Sequence, residues 1–501
     1  MGILDYLFGR SPPAPRPAPK VSVRRYDAAR PANIAGGFSA AGGLRSPYDN
    51  IRWDLRGLIA HSRQQAENND YMKSWLDAVV RNVIGHQGVR LQNEARDTNG
   101  SLDKVANGII EEGWSRWGRL GTPTVDGGLS WIDMQSLVVR TVARDGAILV
   151  RRYRGRAFGP FAYQQQLLEI DYLDTDLNIE QPNGTVVRMG VEFDSFNRPQ
   201  AYHIFARHPS ETGGRRSNAR TRVPADQIFL LMRPERAGQI VGVPGSYTAL
   251  RRLNMTHGYE EAAITAARVG AAKMGFLEQD PDAIPSDPKD IEQEETTDTG
   301  HIIREVEAGI IEKLPPGYSY KEHNPAYPTG EFGAFMRTVL QGAAAGLGVS
   351  YATLANDLTG ANFSSLRAGK GEERDEWRMW QRSIVEGYID RTFRDWLPMA
   401  LLVNALGNLP AGKIDKFEQP KWRPRGWAYV SPGEEANANQ REMAAGLRSP
   451  QQIVGERGDD IDTVFEELAE ARKLAESYGI TFDPQPPGHE TGGTPPPDPA
   501  A

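Results

Sequence analysis

The chain has 501 residues, enough for two to four compact units, and its 39% apolar and 25% charged fractions are those of ordinary globular protein. A net charge of −7 excludes a protein that coats DNA nonspecifically by charge, though not one through which DNA passes. With no cysteine there are neither disulfides nor thiolate metal sites.

The opening MGILDYLFGR lacks the basic start and long apolar core of a signal peptide, and Tyr6 stands where a myristoylation signal wants Ser or Thr. No apolar run approaches the roughly 18 residues of a membrane-spanning helix, so a soluble, non-secreted chain is expected. Residues 11–20 (SPPAPRPAPK) are Pro-rich and predict a flexible arm, and 484–501 predict a disordered tail of the same character.

Helical spacing of Met72, Trp75, Leu76, Val79, Val83 and Ile84 predicts a helix over 66–84, stopped by Gly85. A second is predicted over 102–119, carrying Leu102, Val105, Ile109, Trp114 and Trp117. A third starts at Ser130, with Asp133 as a short capping-box partner, and runs to Gly146. AILVRRY follows as a strand. From 164 to 233 short strand-like runs (QQLLEIDY, VVRMGVEFD, AYHIFARH, QIFLLMR) alternate with the turns PNG and SFNRP. Tight turns argue for antiparallel pairing, so the fold class is α+β.

An Ala-rich helix is predicted over 246–275, roughly 45 Å at 1.5 Å per residue. Its small face suits either close approach of neighbours in a ring or an ordinary buried helix. Residues 278–300 predict an acidic loop, HIIREVEAGIIEKLPPGYSYKE two short strand-like runs, and 331–347 a helix. Long helix, small β insert and helix make an extended hairpin with a capped tip. Beyond it LTGANFSSLRAGKGEERDEW (358–377) passes from small polar residues through a basic patch into an acidic run. The helix predicted over 372–397 carries two adjacent stripes, Trp377, Trp380, Ile384 and Tyr388 beside Val385, Ile389, Phe393 and Trp396, which implies burial on two sides. Helices are also predicted near 433–446 and over 459–478. The latter would pack through Ile461, Val464, Phe465, Leu468, Ala471 and Leu474.

Enzyme signatures are missing. AGKGEE (368–373) lacks both the upstream glycine and the following Ser/Thr of a phosphate-cradling loop. Asp174 and Asp176 resemble a metal-binding pair, but capping or solvated carboxylates at a strand-end turn explain them better. A metal-dependent nucleic-acid-processing enzyme using Asp171, Asp174 and Asp176 is therefore the alternative, not the preferred, function. His203 and His208 lie five apart on one strand, on opposite faces, and share no metal. Arg140, Arg144, Arg151, Arg152, Arg154 and Arg156 form the densest basic cluster; a strand edge pairing with nearby acids is favoured over a nucleic-acid contact. The ten tryptophans read as core and interface anchors.

Several stretches, in order, resemble the lambda-type portal proteins of tailed phages. They are NNDYMKSWLDAVVRNVIGHQGVRLQ (68–92), VRTVARDGAILVRR (139–152), LEIDYLD (168–174), VEFDSFNRPQAYHIFARHP (191–209) and VPADQIFLLMRPERAGQIVGVPG (223–245). The most specific runs from IIEKLPPG through the phenylalanine-bearing helix and AAGLGVSYATLANDL to NFSSLRAG (310–369). The chain departs from the family pattern at Gly433, where a lysine tends to follow the proline.

The resemblance implies a non-enzymatic protomer of a homo-oligomeric ring, usually of twelve copies, at one capsid vertex. It needs no cofactor and no membrane. Double-stranded DNA passes through the ring without sequence specificity, driven by the terminase large subunit, and head-tail joining, major capsid and scaffolding proteins are the other expected partners. The expected location is the virion, reached by assembly in the host cytoplasm. Mapped onto this sequence, 1–20 is the arm and 21–244 a mixed α/β wing. Residues 245–276 and 329–349 form a two-helix stem around a clip insert at 277–328. Residues 350–371 form a tunnel loop, 372–430 a long helix returning to the wing, 431–480 a helical crown and 481–501 the tail. The loop candidates for facing DNA are Thr359, Gly360, Ala361, Asn362, Ser364, Ser365, Arg367 and Lys370. Acidic protomers give a mostly repulsive bore, which suits a conduit, because every phosphate contact adds affinity and hence drag.

Overall fold

A computed structural model describes residues 46–180, 185–211, 219–271, 275–279, 318–322, 331–359, 363–427, 432–457 and 461–480. Within them the fold is a mixture of helices and antiparallel sheets, as the turn-rich pattern predicts.

After a short helix, Pro47–Ile51, come helices Leu55–Asn68 and Asp70–Val83; the helix predicted over 66–84 corresponds to the second and begins at Asp70. Asn69 separates them: its backbone is extended and its side chain accepts from the N–H groups of Tyr71 and Met72, so it caps the second helix. Helices Lys104–Trp117 and Trp131–Asp145 follow, the latter opened by the expected capping box between Ser130 and Asp133. Gly146 ends it in the left-handed region (φ 86°), and an added Cβ there would lie 2.3 Å from the backbone of Val243. No other residue fits.

Strand Ala147–Arg154 is the centre of a three-stranded sheet, flanked by Tyr163–Glu169 and Ile228–Met232. Its alternation divides two cores. Ile148 and Val150 face the larger one, with the helices; Ala147 and Leu149 face the smaller, with the second sheet. That is why AILV is unbroken in apolar character. The second sheet has five strands in sequence order, from Ile179–Glu180 to Arg220–Pro224, all antiparallel. The run VVRMGVEFD, predicted as one strand, is a hairpin. Met189 (φ 49°) and Gly190 (φ 76°) turn the chain between Val186–Arg188 and Val191–Phe193. The PNG turn lies outside the described residues.

The Ala-rich helix spans Leu250–Ala271, within the predicted 246–275, and residue 275 begins strand Gly275–Gln279 instead. That strand pairs antiparallel with Tyr318–Glu322, and helix Phe332–Leu347 follows. The strand-like runs around Glu307 lie outside the described residues. The two helices pack closely: an added Cβ on Gly342 would meet the Arg252 guanidinium, one on Gly346 the Thr248 hydroxyl at 2.9 Å, and Tyr259 stacks on Phe332.

The aromatic helix is longer than predicted. It runs from Phe363 to Leu402, with a π turn at Val385–Ile389. Seven of the ten tryptophans are buried (Trp75, Trp114, Trp117, Trp131, Trp377, Trp380, Trp396) and only Trp53 is largely exposed, in line with anchoring rather than base stacking. Both predicted stripes of the long helix enter the larger core. The C-terminal helices are Pro432–Ala444, Pro450–Glu456 and Ile461–Ser477. In the last, the predicted packing face is only partly covered: Ile461 and Val464 are half-buried, whereas Phe465 is 55% and Leu474 61% exposed.

Candidate functional site

Residues 348–359, which follow helix Phe332–Leu347, are held by a series of local hydrogen bonds. Gly348 (φ 68°) ends the first helix, and Ser350 caps a single helical turn, Tyr351–Ala355, by accepting from the Thr353 N–H. Asn356 (φ 51°) turns the chain again, and Asp357 then becomes a hub. Its carboxylate accepts from the Thr359 hydroxyl, the Thr359 N–H (2.8 Å), the Tyr351 hydroxyl (3.0 Å) and Arg337 Nη2 (3.0 Å). Arg337 Nη2 also donates to the Thr359 carbonyl at 3.0 Å. The Thr359 hydroxyl above all, then its N–H and the Arg337 guanidinium, hold the Asp357 carboxyl well below the usual carboxylate range. Thr353 Oγ1 donates to Glu373 at 3.0 Å, joining the short helix to the long one.

This clamp fixes Thr359. Gly360, Ala361 and Asn362 lie outside the described residues. The rest of the predicted loop is corrected: Ser364, Ser365, Arg367 and Lys370 belong to helix Phe363–Ile384, and Lys370 is exposed on it. The two glycines at 369 and 371 disfavour a helix by about 1 kcal/mol each, but continuity with the strongly helical run behind them prevails. The same helix contains AGKGEE, which is therefore no phosphate loop. Sequence reasoning missed Arg337, Tyr351 and Asp357. The Asp-x-Thr spacing of 357–359 carries the signal of an Asx turn, whereas Arg337 is distant in sequence and unreadable from it.

The alternative site dissolves into ion pairs. Asp171 pairs with Arg63 at 2.5 Å, Asp174 with Arg220 at 2.6 Å and Asp176 with Arg56 at 2.8 Å. Among the described residues these three carboxylates do not form a metal-sized group. Glu169, Asp171 and His208 do come that close, a grouping not legible in the sequence because the 3₁₀ turn Ile170–Tyr172 creates it. Arg63 lies against both carboxylates, 3.4 Å from Glu169, and thus already supplies the cation. His203 instead approaches Glu192 (3.5 Å), and His208 lies beyond strand Pro199–Phe205, so the two are not on one strand as predicted.

Four of the six arginines of the basic cluster pair with acids as expected, but Arg152 and Arg154 do so from the central strand of the sheet and not from an edge. Arg140 pairs with Asp77, Arg144 with Asp145 (2.7 Å) and Glu169 (2.9 Å), and Arg152 and Arg154 both with Asp395.

The profile of the family described as "Phage portal protein, lambda family" matches residues 39–381, more than half of the chain. A "Probable portal protein" of Halomonas phage phiHAP-1 is 31% identical over 473 residues, covering 94% of this chain and 90% of its own. The "Portal protein" of Escherichia phage N15 is 22% identical over 255 residues, 46% of this chain and 48% of its own. Among solved structures, a chain of "Neck of empty GTA particle computed with C6 symmetry" aligns at TM-score 0.42 and 15% identity, over 84% of this chain and 97% of that one. A chain of "Virion of native gene transfer agent (GTA) particle" aligns at 0.42 and 13%, over 81% and 94%. The chain belongs to the lambda family of phage portal proteins.

Proposed function

We propose that this portal protein assembles into a ring, of twelve copies, whose central channel carries double-stranded DNA into and out of the capsid. The protomer is a structural component of the virion at the portal vertex, without catalysis. It docks the terminase large subunit during packaging and head-tail joining proteins afterwards, with major capsid and scaffolding proteins around it. The helix pair Leu250–Ala271 and Phe332–Leu347 is the stem, the insert between them, which begins and ends with a paired strand, is the clip, and residues 356–362 are the tunnel loop. The C-terminal helices form the crown.

The observation that carries this reading is the closely packed helix pair joined through the Gly275–Gln279 and Tyr318–Glu322 ladder. It puts an insert at one end of a long hairpin and a clamped loop at the other. Exposed Met255, Ile264 and Phe335 on that hairpin give a neighbouring copy apolar surface to cover. Native mass spectrometry and axial imaging of the purified chain test it: a closed ring with a bore wide enough for duplex DNA is expected, and a strict monomer at micromolar concentration overturns it.

A further inference from the structure

Residues 84–88 leave helix Asp70–Val83 and lead into strand Arg90–Asn93, which pairs with Pro420–Arg423. Where this turn meets residues 423–426 and the end of helix Pro450–Glu456 there is a cavity of about 330 Å³. Its lining is strongly one-sided in charge. Arg90, Arg423, Arg425, Arg457 and His86 contribute, and among the described residues no carboxylate does.

Among the described residues, two of these arginines donate to neutral acceptors only. Arg425 Nη1 donates to the Arg81 carbonyl and to Asn82 Oδ1 (3.2 Å), and Arg423 Nε to Gln92 Oε1 (2.7 Å). A guanidinium carries five donors, so most of their N–H groups remain for something else. Arg425 is partly buried, and that burial first, then Arg81 and Arg374, lower its guanidinium below the ordinary value. The backbone adds donors of its own. Gly85 and Gly88 lie in the left-handed region (φ 72° and 71°), which curls the turn, and the N–H groups of His86, Gln87 and Gly88 meet no acceptor among the described residues. Such a curl of backbone N–H groups beside arginine forks is the donor arrangement that anions with several oxygens satisfy.

We propose that this cavity binds a phosphate group, either inorganic phosphate or a phosphodiester of nucleic acid, held by Arg423, Arg425 and the N–H groups of the 86–88 turn. A tetrahedral anion accepts from several directions at once, which a planar carboxylate does less well. The cavity lies where the C-terminal helices meet the body. Gly426 lies against the Glu456 carbonyl so closely that an added Cβ would be 2.1 Å from it. The site stands on its own chemistry and not on the channel reading, so either can fail alone.

The test is titration of the full chain with sodium phosphate against sodium chloride at equal ionic strength, followed by thermal unfolding and by ³¹P line broadening. Phosphate is expected to raise Tm where chloride does not, and Arg423→Gln with Arg425→Gln to weaken phosphate binding by at least about tenfold. Should that variant misfold, ³¹P line broadening by the unmodified chain decides the matter: broadening beyond that of an equal mass of unrelated acidic protein supports the site, and its absence overturns it. A short single-stranded oligonucleotide that displaces phosphate assigns the site to nucleic acid; one that does not assigns it to free phosphate. Equal response of Tm to phosphate and chloride overturns the proposal.

Discussion

Asp357 and Arg337 hold the entrance to residues 360–362 by a handful of hydrogen bonds on the surface of the protomer. Because the Asp357 carboxyl is held below its ordinary value of 3.8, its charged form is favoured by the folded state. A depressed carboxylate contributes stability that is complete above the unfolded pKa and is lost as pH falls through the folded one. The clamp is therefore expected to stay closed through about pH 4 and to open only below the ordinary carboxylate range. Amide exchange at Thr359 checks this: its protection factor should stay level from about pH 7 to 4 and drop at every pH in Asp357→Asn. Protection already lost by about pH 5 would show that the carboxylate is not its source. Asp395 gives a half-buried counterpart. It accepts from Arg152, whose side chain is 8% exposed and whose guanidinium lies 3.9 Å from the centre of the Phe229 ring, and from Arg154 at 2.8 Å. Arg391 covers the same ring at 4.0 Å. Removing the one carboxylate leaves clustered cations with no counter-charge, so Asp395→Asn should destabilise by about 3 kcal/mol, read as a lower urea midpoint at unchanged slope.

Elements with strong periodicity and caps were legible. The Ser130–Asp133 box, the stripes of the long helix and the helix–insert–helix order all follow from local residue chemistry and recur in the structure. What was not legible is long-range or depends on one backbone angle. Asn69 ends one helix and caps the next inside the range predicted as helix, Met189 and Gly190 fold a predicted strand into a hairpin, and the partner of Asp357 lies twenty residues upstream. The long helix shows why its length was underread: residues 363–371 carry no apolar stripe, yet they continue a helix anchored downstream. That anchor is the aromatic cluster in which Trp114 lies 5.1 Å from Trp396 and 5.6 Å from Phe393, edge to face. The π turn at Val385–Ile389 sits where Tyr388, fully buried, donates to Gln165 Oε1 at 2.8 Å and Gln165 in turn donates to Thr392 at 3.0 Å. Trp396→Ala empties the centre of this cluster and should cost about 3–5 kcal/mol, measured by denaturant unfolding. A cost below about 1 kcal/mol would mean that the aromatic cluster is not what fixes the long helix to the body.

At the scale of the whole molecule the chain keeps its burial and its exposure apart. The body carries two cores separated by strand Ala147–Arg154, whereas helix Leu250–Ala271 and helix Ile461–Ser477 leave Met255, Ile264, Phe465 and Leu474 uncovered. If the chain assembles as proposed, these uncovered apolar faces are the surfaces a neighbouring copy would cover. Residues 356–359 are held by Arg337 and Asp357 and enter neither core. Deleting residues 358–365 should therefore leave ring assembly intact while DNA packaging or retention falls, measured by native mass spectrometry for the ring and by nuclease-protected DNA per particle for retention. The deletion removes Thr359 and the first turn of the long helix but spares Glu373 and its hydrogen bond from Thr353. Loss of the ring would place these residues in assembly. Full DNA retention in an intact ring would remove them from any contact with the moving duplex.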